Sequence, residues 1–278
     1  MSTSVNADHR RKAEQLLALH RGPLLLLPNA WDGLSAKVFE EVGFNAIATT
    51  SAGVAWSLGY ADGETVGWHD MLRRIERIVA CVKLPVTADI EGGFSSTTPD
   101  LIHRIEELIE VGACGLNLED GLDHGARLRS VDEACERIDA VRRTATKHGL
   151  HLVINARTDL HLKAGNDPAA LDASISRCRA YFAAGADCVY PIGLSDLGLI
   201  TRLVKELNAP VNVHGRRGAP SIAELQAVGV ARVSTATSPA VFMAGALEDA
   251  MKKLIQSGSF DHFTSTFDYG RLQKLFAK

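Results

Sequence analysis

The sequence predicts an α/β chain folded as a (β/α)₈ barrel, and three observations lead there. Amphipathic stretches end again and again at a Gly or just before a Pro, and a short β-rich run follows each of them. Eight such runs occur in order. The 278 residues suffice for one barrel, which needs about 250, with short extensions at both ends.

The first run is LLLLPNA at 24–30. Five more follow a helix-ending Gly, at 41–50, 110–120, 147–158, 183–193 and 227–236, where a left-handed C′ position costs a Gly nothing. Two use Pro instead, at 83–91 and 208–215, since Pro stops a helix and is tolerated as a strand's first residue. Between them, segments such as 69–82 and 132–149 repeat apolar residues at three- and four-residue steps, the period of a helix with one buried face. Strand then helix is the pattern of parallel βαβ units. No GxGxxG follows the first strand, which argues against a doubly wound nucleotide fold. The expected organisation is a single domain over 1–278, with an N-terminal helix in 1–22 and a helical tail at 258–278.

Composition narrows the function. Apolar residues make up 46% and charged residues 23%, as in an ordinary globular protein. A net charge of −3 argues against a nucleic-acid binder. No apolar run approaches the roughly 20 residues of a membrane span, and the first 16 residues lack the apolar segment of a secretory signal. The five cysteines are odd in number and without CxxC spacing, which points to reduced thiols in a cytoplasmic protein.

A barrel builds its active site at the C-terminal ends of its strands, and unusual polar residues collect there. The third strand ends in Asp89 and Glu91, which at a spacing of two are expected to face the barrel mouth together. The fourth ends in Glu119 and Asp120, the fifth in Arg157 and Asp159, and the seventh carries Asn212 and His214. Carboxylates around one cavity repel each other unless a cation sits among them, and an oxygen-rich set suits Mg²⁺, with Mn²⁺ as a substitute. Arg157 offers a planar fork for a substrate carboxylate. Loop caps and surface ion pairs are the plain alternative for these acids. His103, His151 and His161 are read as structural, the cysteines as small core residues, and Arg73, Arg74 and Arg77 as a solvated helix face.

The segments LPNAWDGLSAK, TTSAGVAWSLGYADGE, PVTADIEGGF, GLNLEDG, VINARTD and GADCVYPIG, in this order, resemble the isocitrate lyase/phosphoenolpyruvate mutase superfamily over nearly the whole chain. The resemblance implies a (β/α)₈ barrel, a Mg²⁺ ion, and cleavage or formation of a C–C or P–C bond beside an α-oxocarboxylate. It makes Asp89 the acid nearest the metal and Glu91 its water-mediated partner. Glu119 and Asp62 become further acids of the metal and substrate network, and Arg157 the substrate arginine. Ser51, Ala52 and Gly53 resemble the loop whose N–H groups hold the substrate's carboxylate or enolate oxygen. The chain departs from the family at 121–129, where isocitrate and methylisocitrate lyases carry Lys-x-Cys-Gly-His and the mutases carry Lys and Asn. Those two lyase activities are therefore not expected. At the end of the sixth strand stands Pro191-Ile192-Gly193 instead of a His or Glu.

The reading that follows is a Mg²⁺-dependent lyase, decarboxylase or hydrolase acting through an enolate on a small 2-oxo acid such as oxaloacetate. One alternative is P–C chemistry on a phosphonopyruvate-like substrate, with His124, Arg127 and Arg129 as the available cations. Another is a 2-oxo acid binder without turnover. The tail holds four of the nine Phe, too aromatic to lie in water. With the family's exchange of terminal helices, this implies a homodimer or a homotetramer.

Overall fold

The computed structural model describes residues 5–123 and 125–277; His124, one of the loop cations of the phosphonate reading, lies outside them. The punctuation read from the sequence is present. Gly43, Gly112, Gly149, Gly185 and Gly229 all adopt positive φ, between 66° and 109°. Each turns a helix end into the next strand at no Cβ cost.

The strands are β1 (Leu25–Leu27), β2 (Asn29–Ala30), β3 (Ile47–Thr49), β4 (Val86–Asp89) and β5 (Gly115–Glu119), then β6 (Gly121–Leu122), β7 (Arg127–Leu128), β8 (Val153–Thr158), β9 (Cys188–Pro191), β10 (Asn212–His214) and β11 (Arg232–Ser234). The helices are α1 (Ala7–Leu19), α2 (Gly33–Val42), α3 (Ser51–Ser57), α4 (Trp68–Cys81), α5 (Thr98–Glu110) and α6 (Val131–Lys147), followed by α7 (Leu160–Ala164), α8 (Leu171–Ala183), α9 (Leu197–Leu207), α10 (Ile222–Ala227), α11 (Ser238–Ser257) and α12 (Tyr269–Phe276). The expected N-terminal helix is thus α1 and the expected tail helix is α12.

Two all-parallel sheets result, one ordered β2-β3-β4-β5-β8-β9 and the other β1-β11-β10. Only Pro28 separates β1 from β2. Lacking an N–H, it breaks the ladder there, although its carbonyl still accepts from Ala48 N–H at 2.9 Å. Between β9 and β10 a single parallel bridge joins Val189 to Val211. Two features were not expected from the sequence: the strand-end segment at Ser51–Gly53 is the first turn of α3, and β6 and β7 form an antiparallel hairpin in the loop after β5.

The helices bury their apolar stripes against the strands, as in Leu101, Ile105 and Leu108 of α5 or Met71, Ile75 and Ile78 of α4. The side chains among the strands are more polar than in an ordinary core. Asn155 donates to Asn117 Oδ1 at 2.8 Å, and so does the Nη2 of Arg232 at 3.2 Å. Arg232 is fully buried, and its Nε and Nη1 have no partner among the described residues.

His20, the C-cap of α1, is 3% exposed and donates from Nδ1 to the Leu16 carbonyl at 2.8 Å. Burial, and secondarily the charge of Arg232, push its pKa down to about 4 from 6.5. The folded protein therefore refuses a proton that the unfolded chain accepts. The stabilisation is complete above pH 6.5 and is lost as pH falls toward 4, by about 3 kcal/mol in all. His20→Gln should flatten this dependence. Denaturant melts of both proteins at pH 7 and 4.5 check it, and equal pH losses would refute the assignment.

Candidate active site

The C-terminal ends of β4, β5 and β8, with the segments that follow β3 and α3, enclose a cavity of about 380 Å³. Ser51, Asp62, Glu64, Glu91, Glu119 and Arg157 line it, and the hairpin contributes Gly121, Leu122 and Asp123, with Arg129 and Asp159 beside them. Parallel strands put all their C-terminal ends on one side, which is why acids distant in sequence meet here.

Asp89 closes β4. Its N–H donates to Thr49 Oγ1 at 2.8 Å, and its Oδ2 accepts from the Ser51 N–H at 3.2 Å and from the Ser51 hydroxyl at 3.0 Å. Its Oδ1 is buried without a partner. Glu91 lies past the strand end with φ of 51°, a left-handed conformation rare outside Gly. The alternation expected to aim Asp89 and Glu91 the same way therefore ends at Asp89. Glu91 instead accepts the Glu64 N–H at 2.9 Å, with Glu64 also left-handed at 58°. Burial, then the charges of Asp62, Asp89 and Glu64, push the Glu91 carboxyl up to about 8.

Glu119 meets Arg157 Nη1 at 2.7 Å, but the angle does not make a hydrogen bond, and Oε2 is left buried without one. Burial raises the Glu119 pKa well above the ordinary value, Arg157 opposes this, and Asp159, Asp89 and Glu91 add to it. Arg157 is gripped side-on by Asp159, Nε to Oδ1 at 2.6 Å and Nη2 to Oδ2 at 3.0 Å. Burial works against the Arg157 charge, but Glu119, Asp159 and Asp89 more than offset it and hold the guanidinium ionised.

Among the described residues, no three His, Cys, Asp or Glu side chains are gathered closely enough to hold a metal by themselves. The expected trio of Asp89, Glu91 and Glu119 is thus near but not converged. Each acid is drawn to its own partner, Ser51, Glu64 and Arg157 respectively. The donor set nevertheless fits a hard cation. Asp89 Oδ1 is a buried carboxylate oxygen without a partner, a costly state that a cation relieves, and Glu119 Oε2 has only its ion pair with Arg157; Mg²⁺ needs only one or two carboxylates because it keeps several waters.

Of the other expected residues, Ser51 and Asp62 line the cavity. Ala52 and Gly53 lie just behind in α3; Gly53 N–H is capped by Thr50 Oγ1 at 3.4 Å, while Ala52 N–H makes no hydrogen bond to a described residue. Asn212 does not reach the cavity: it is fully buried and pairs with the Ser234 hydroxyl at 3.0 Å, because it sits one pleat below the mouth. Arg127 points away and pairs with Asp123 at 2.7 Å, whereas Arg129 lines the cavity. Sequence reasoning passed over Glu64, and it placed Asp159 at a strand end without giving it a role. The signal for Glu64 was its place beside Asp62 in GYADGE; the signal for Asp159 was its position two residues beyond Arg157.

A parallel α/β fold with a buried arginine and an acid-lined cavity at its strand ends has the layout of an enzyme active site. The family model for phosphoenolpyruvate phosphomutase matches residues 16–255. A provisionally named lyase/mutase of Burkholderia cenocepacia has the same architecture, with a TM-score of 0.90, 34% identity and 98% of each chain covered. The 2,3-dimethylmalate lyase of Eubacterium barkeri is 29% identical over 78% of this chain and 76% of its own length. Oxaloacetate acetylhydrolase, solved with its product oxalate, aligns with a TM-score of 0.86 and 25% identity over 95% and 92% of the two chains. The chain belongs to the isocitrate lyase/phosphoenolpyruvate mutase superfamily, and it is an enzyme.

Proposed function

We propose that this enzyme is a Mg²⁺-dependent lyase, decarboxylase or hydrolase that breaks a carbon–carbon bond of a small 2-oxo acid such as oxaloacetate through an enolate. The observation that carries the reading is the group of acids at the strand ends: Asp89 Oδ1 is buried without a partner, beside a cavity lined by Glu91, Glu119 and Arg157. Two of the similar proteins, the dimethylmalate lyase and the oxaloacetate acetylhydrolase, are named for substrates with two carboxylates.

Asp89 and Glu119 would hold the ion, with Glu91 and Asp62 acting through its waters. The ion supplies Lewis acidity when bound. The remaining work falls to the chain. Arg157 has five N–H donors and spends two on Asp159, so donors remain to orient a substrate carboxylate. The N–H of Ala52, just behind Ser51, would receive charge developing on the keto oxygen as the bond breaks. Gly121, Leu122 and Asp123 of the hairpin wall the cavity and would shield an enolate from bulk water.

The direct test is release of pyruvate and CO2, or of oxalate and acetate, from oxaloacetate, and of pyruvate from substituted malates, with and without Mg²⁺; chelator-resistant turnover would refute the metal. Arg157→Lys keeps the charge but loses the fork, so binding should weaken by about 1–3 kcal/mol. An unchanged KM and kcat would put Arg157 outside the reaction. A P–C reaction on phosphonopyruvate remains the second reading, because Arg129 lines the cavity and is a cation for a phosphonate. Release of phosphate, or rearrangement followed by phosphorus NMR, would select it.

We also propose that the two sheets, joined at Pro28 and at the Val189–Val211 bridge, close into one eight-stranded barrel over a single domain. The C-terminal segment is proposed to pack on a second copy. Val241, Phe242, Leu247 and Ile255 of α11 are all at least 55% exposed, and so is Phe260 beyond it. The five cysteines are unpaired thiols, which suits the cytoplasm. No helix among the described residues is long and apolar enough to cross a membrane.

A further inference from the structure

Two side chains of α8 never line the main cavity, yet they hold two of its walls. The connection runs through Asp120, the residue between β5 and the hairpin, which is 2% exposed. Its N–H donates to the Arg157 carbonyl at 3.1 Å, and its carbonyl accepts the Arg129 N–H at 2.8 Å. Its Oδ1 accepts the Asp159 N–H at 2.9 Å. Its Oδ2 accepts the Tyr181 hydroxyl at 2.5 Å and Arg177 Nη1 at 3.1 Å. The same Nη1 donates to the Arg129 carbonyl at 3.1 Å.

Asp120 and Arg129 are the two feet of the hairpin, whose strands pair Gly121 with Leu128 and Leu122 with Arg127. One guanidinium nitrogen from α8 therefore bolts both feet. The Asp120 carboxylate also fixes the backbone of Asp159, whose own carboxylate grips Arg157 side-on. Both donors are held in their bonding forms. Burial, with Asp120 beside it, keeps the Tyr181 proton on its oxygen; Arg177 stays charged because Tyr181 and Asp120 outweigh its burial. Bonds to a buried carboxylate are the strong kind, and losing one donor leaves the anion short of partners.

We propose that Arg177 and Tyr181 are positioning residues of this enzyme: acting through Asp120, they set both the hairpin wall and the guanidinium of Arg157. The proposal rests on the 2-oxo acid reading only for what the cavity holds, not for the linkage between α8, hairpin and Arg157.

Arg177→Met and Tyr181→Phe test it, with Arg177→Lys as the conservative control. Backbone hydrogen exchange is read on the free protein, so no ligand is needed. The amides of 121–129 and of Asp159 should exchange about tenfold faster or more, as when a supporting partner is removed from a site, while those of β3 and β10 keep their rates. With Mg²⁺ and oxaloacetate, KM should rise about tenfold and kcat change less, since the loss is in holding rather than in chemistry. Arg177→Lys should recover part of both effects. Unchanged exchange at the hairpin overturns the proposal, as does acceleration spread evenly over the chain, which would mean a general packing role. If Arg177→Met does not fold, Tyr181→Phe, which keeps the ring and loses only the hydroxyl, decides alone. Faster hairpin exchange in a protein whose wild type neither binds nor turns over oxaloacetate supports the linkage and rejects the oxaloacetate reading.

Discussion

Asp89→Ala is expected to lower Mg²⁺-supported turnover on the order of 10³-fold, comparable to removing a principal group that stabilises transition-state charge. The residue does two things that Ala cannot. Its Oδ2 receives both the N–H and the hydroxyl of Ser51, and so fixes the start of α3; its Oδ1 is a buried oxygen without a partner, which suits a cation. Asp89→Asn separates these roles, since the amide oxygen can still accept from Ser51 while the charge is gone. The measurements are turnover against Mg²⁺ concentration and Mn²⁺ binding followed by its paramagnetic resonance. Loss of Mn²⁺ binding in both variants, with a wild-type circular dichroism spectrum, is the predicted result. Full turnover in Asp89→Asn would remove the residue from the metal site.

Deleting residues 258–278 is expected to turn a defined oligomer into monomers or aggregates. In the single chain α11 buries only Ala240, and leaves Phe242 78% and Ile255 85% exposed. Phe260 and Tyr269 beyond it are 73% and 79% exposed. Each large side chain left in water forgoes roughly 1.5–3 kcal/mol, so a handful together exceed what a domain can spare. The opposite arrangement, a tail folded back on its own chain, has one ion pair among the described residues, where Arg271 of α12 approaches Glu41 of α2 at 3.8 Å. Light scattering on the deletion variant and on Phe242→Asp checks the idea. A deletion variant with unchanged mass per particle, corrected for the lost residues, would refute the exchange.

The strand–helix alternation was legible because Gly and Pro mark joins by local rules. Gly43, Gly112, Gly149, Gly185 and Gly229 need no partner to favour a left-handed turn. The positions of Asp89, Glu119 and Arg157 at strand ends were legible for the same reason. What each of them touches was not. Period-two alternation ends before Glu91, where the backbone turns left-handed; the side chain still lines the cavity, but there it accepts the Glu64 N–H. Asn212 was judged by its strand end alone, and nothing local distinguishes the mouth from the layer below it. The α8 bolt depends on contacts that span 57 and 61 residues of chain, which a single sequence does not display.

Arg232, enclosed among the strands with Asn117, also bears on how this protein can change. A hydrocarbon core accepts many exchanges of similar size, each costing a little. A polar interior has no such gradations: trimming one member strands its partners, while exchanging several together for apolar groups of matched shape need not. Substitutions along the axis of this fold should therefore arrive in concerted sets or hardly at all, and drift should be confined to the helices outside.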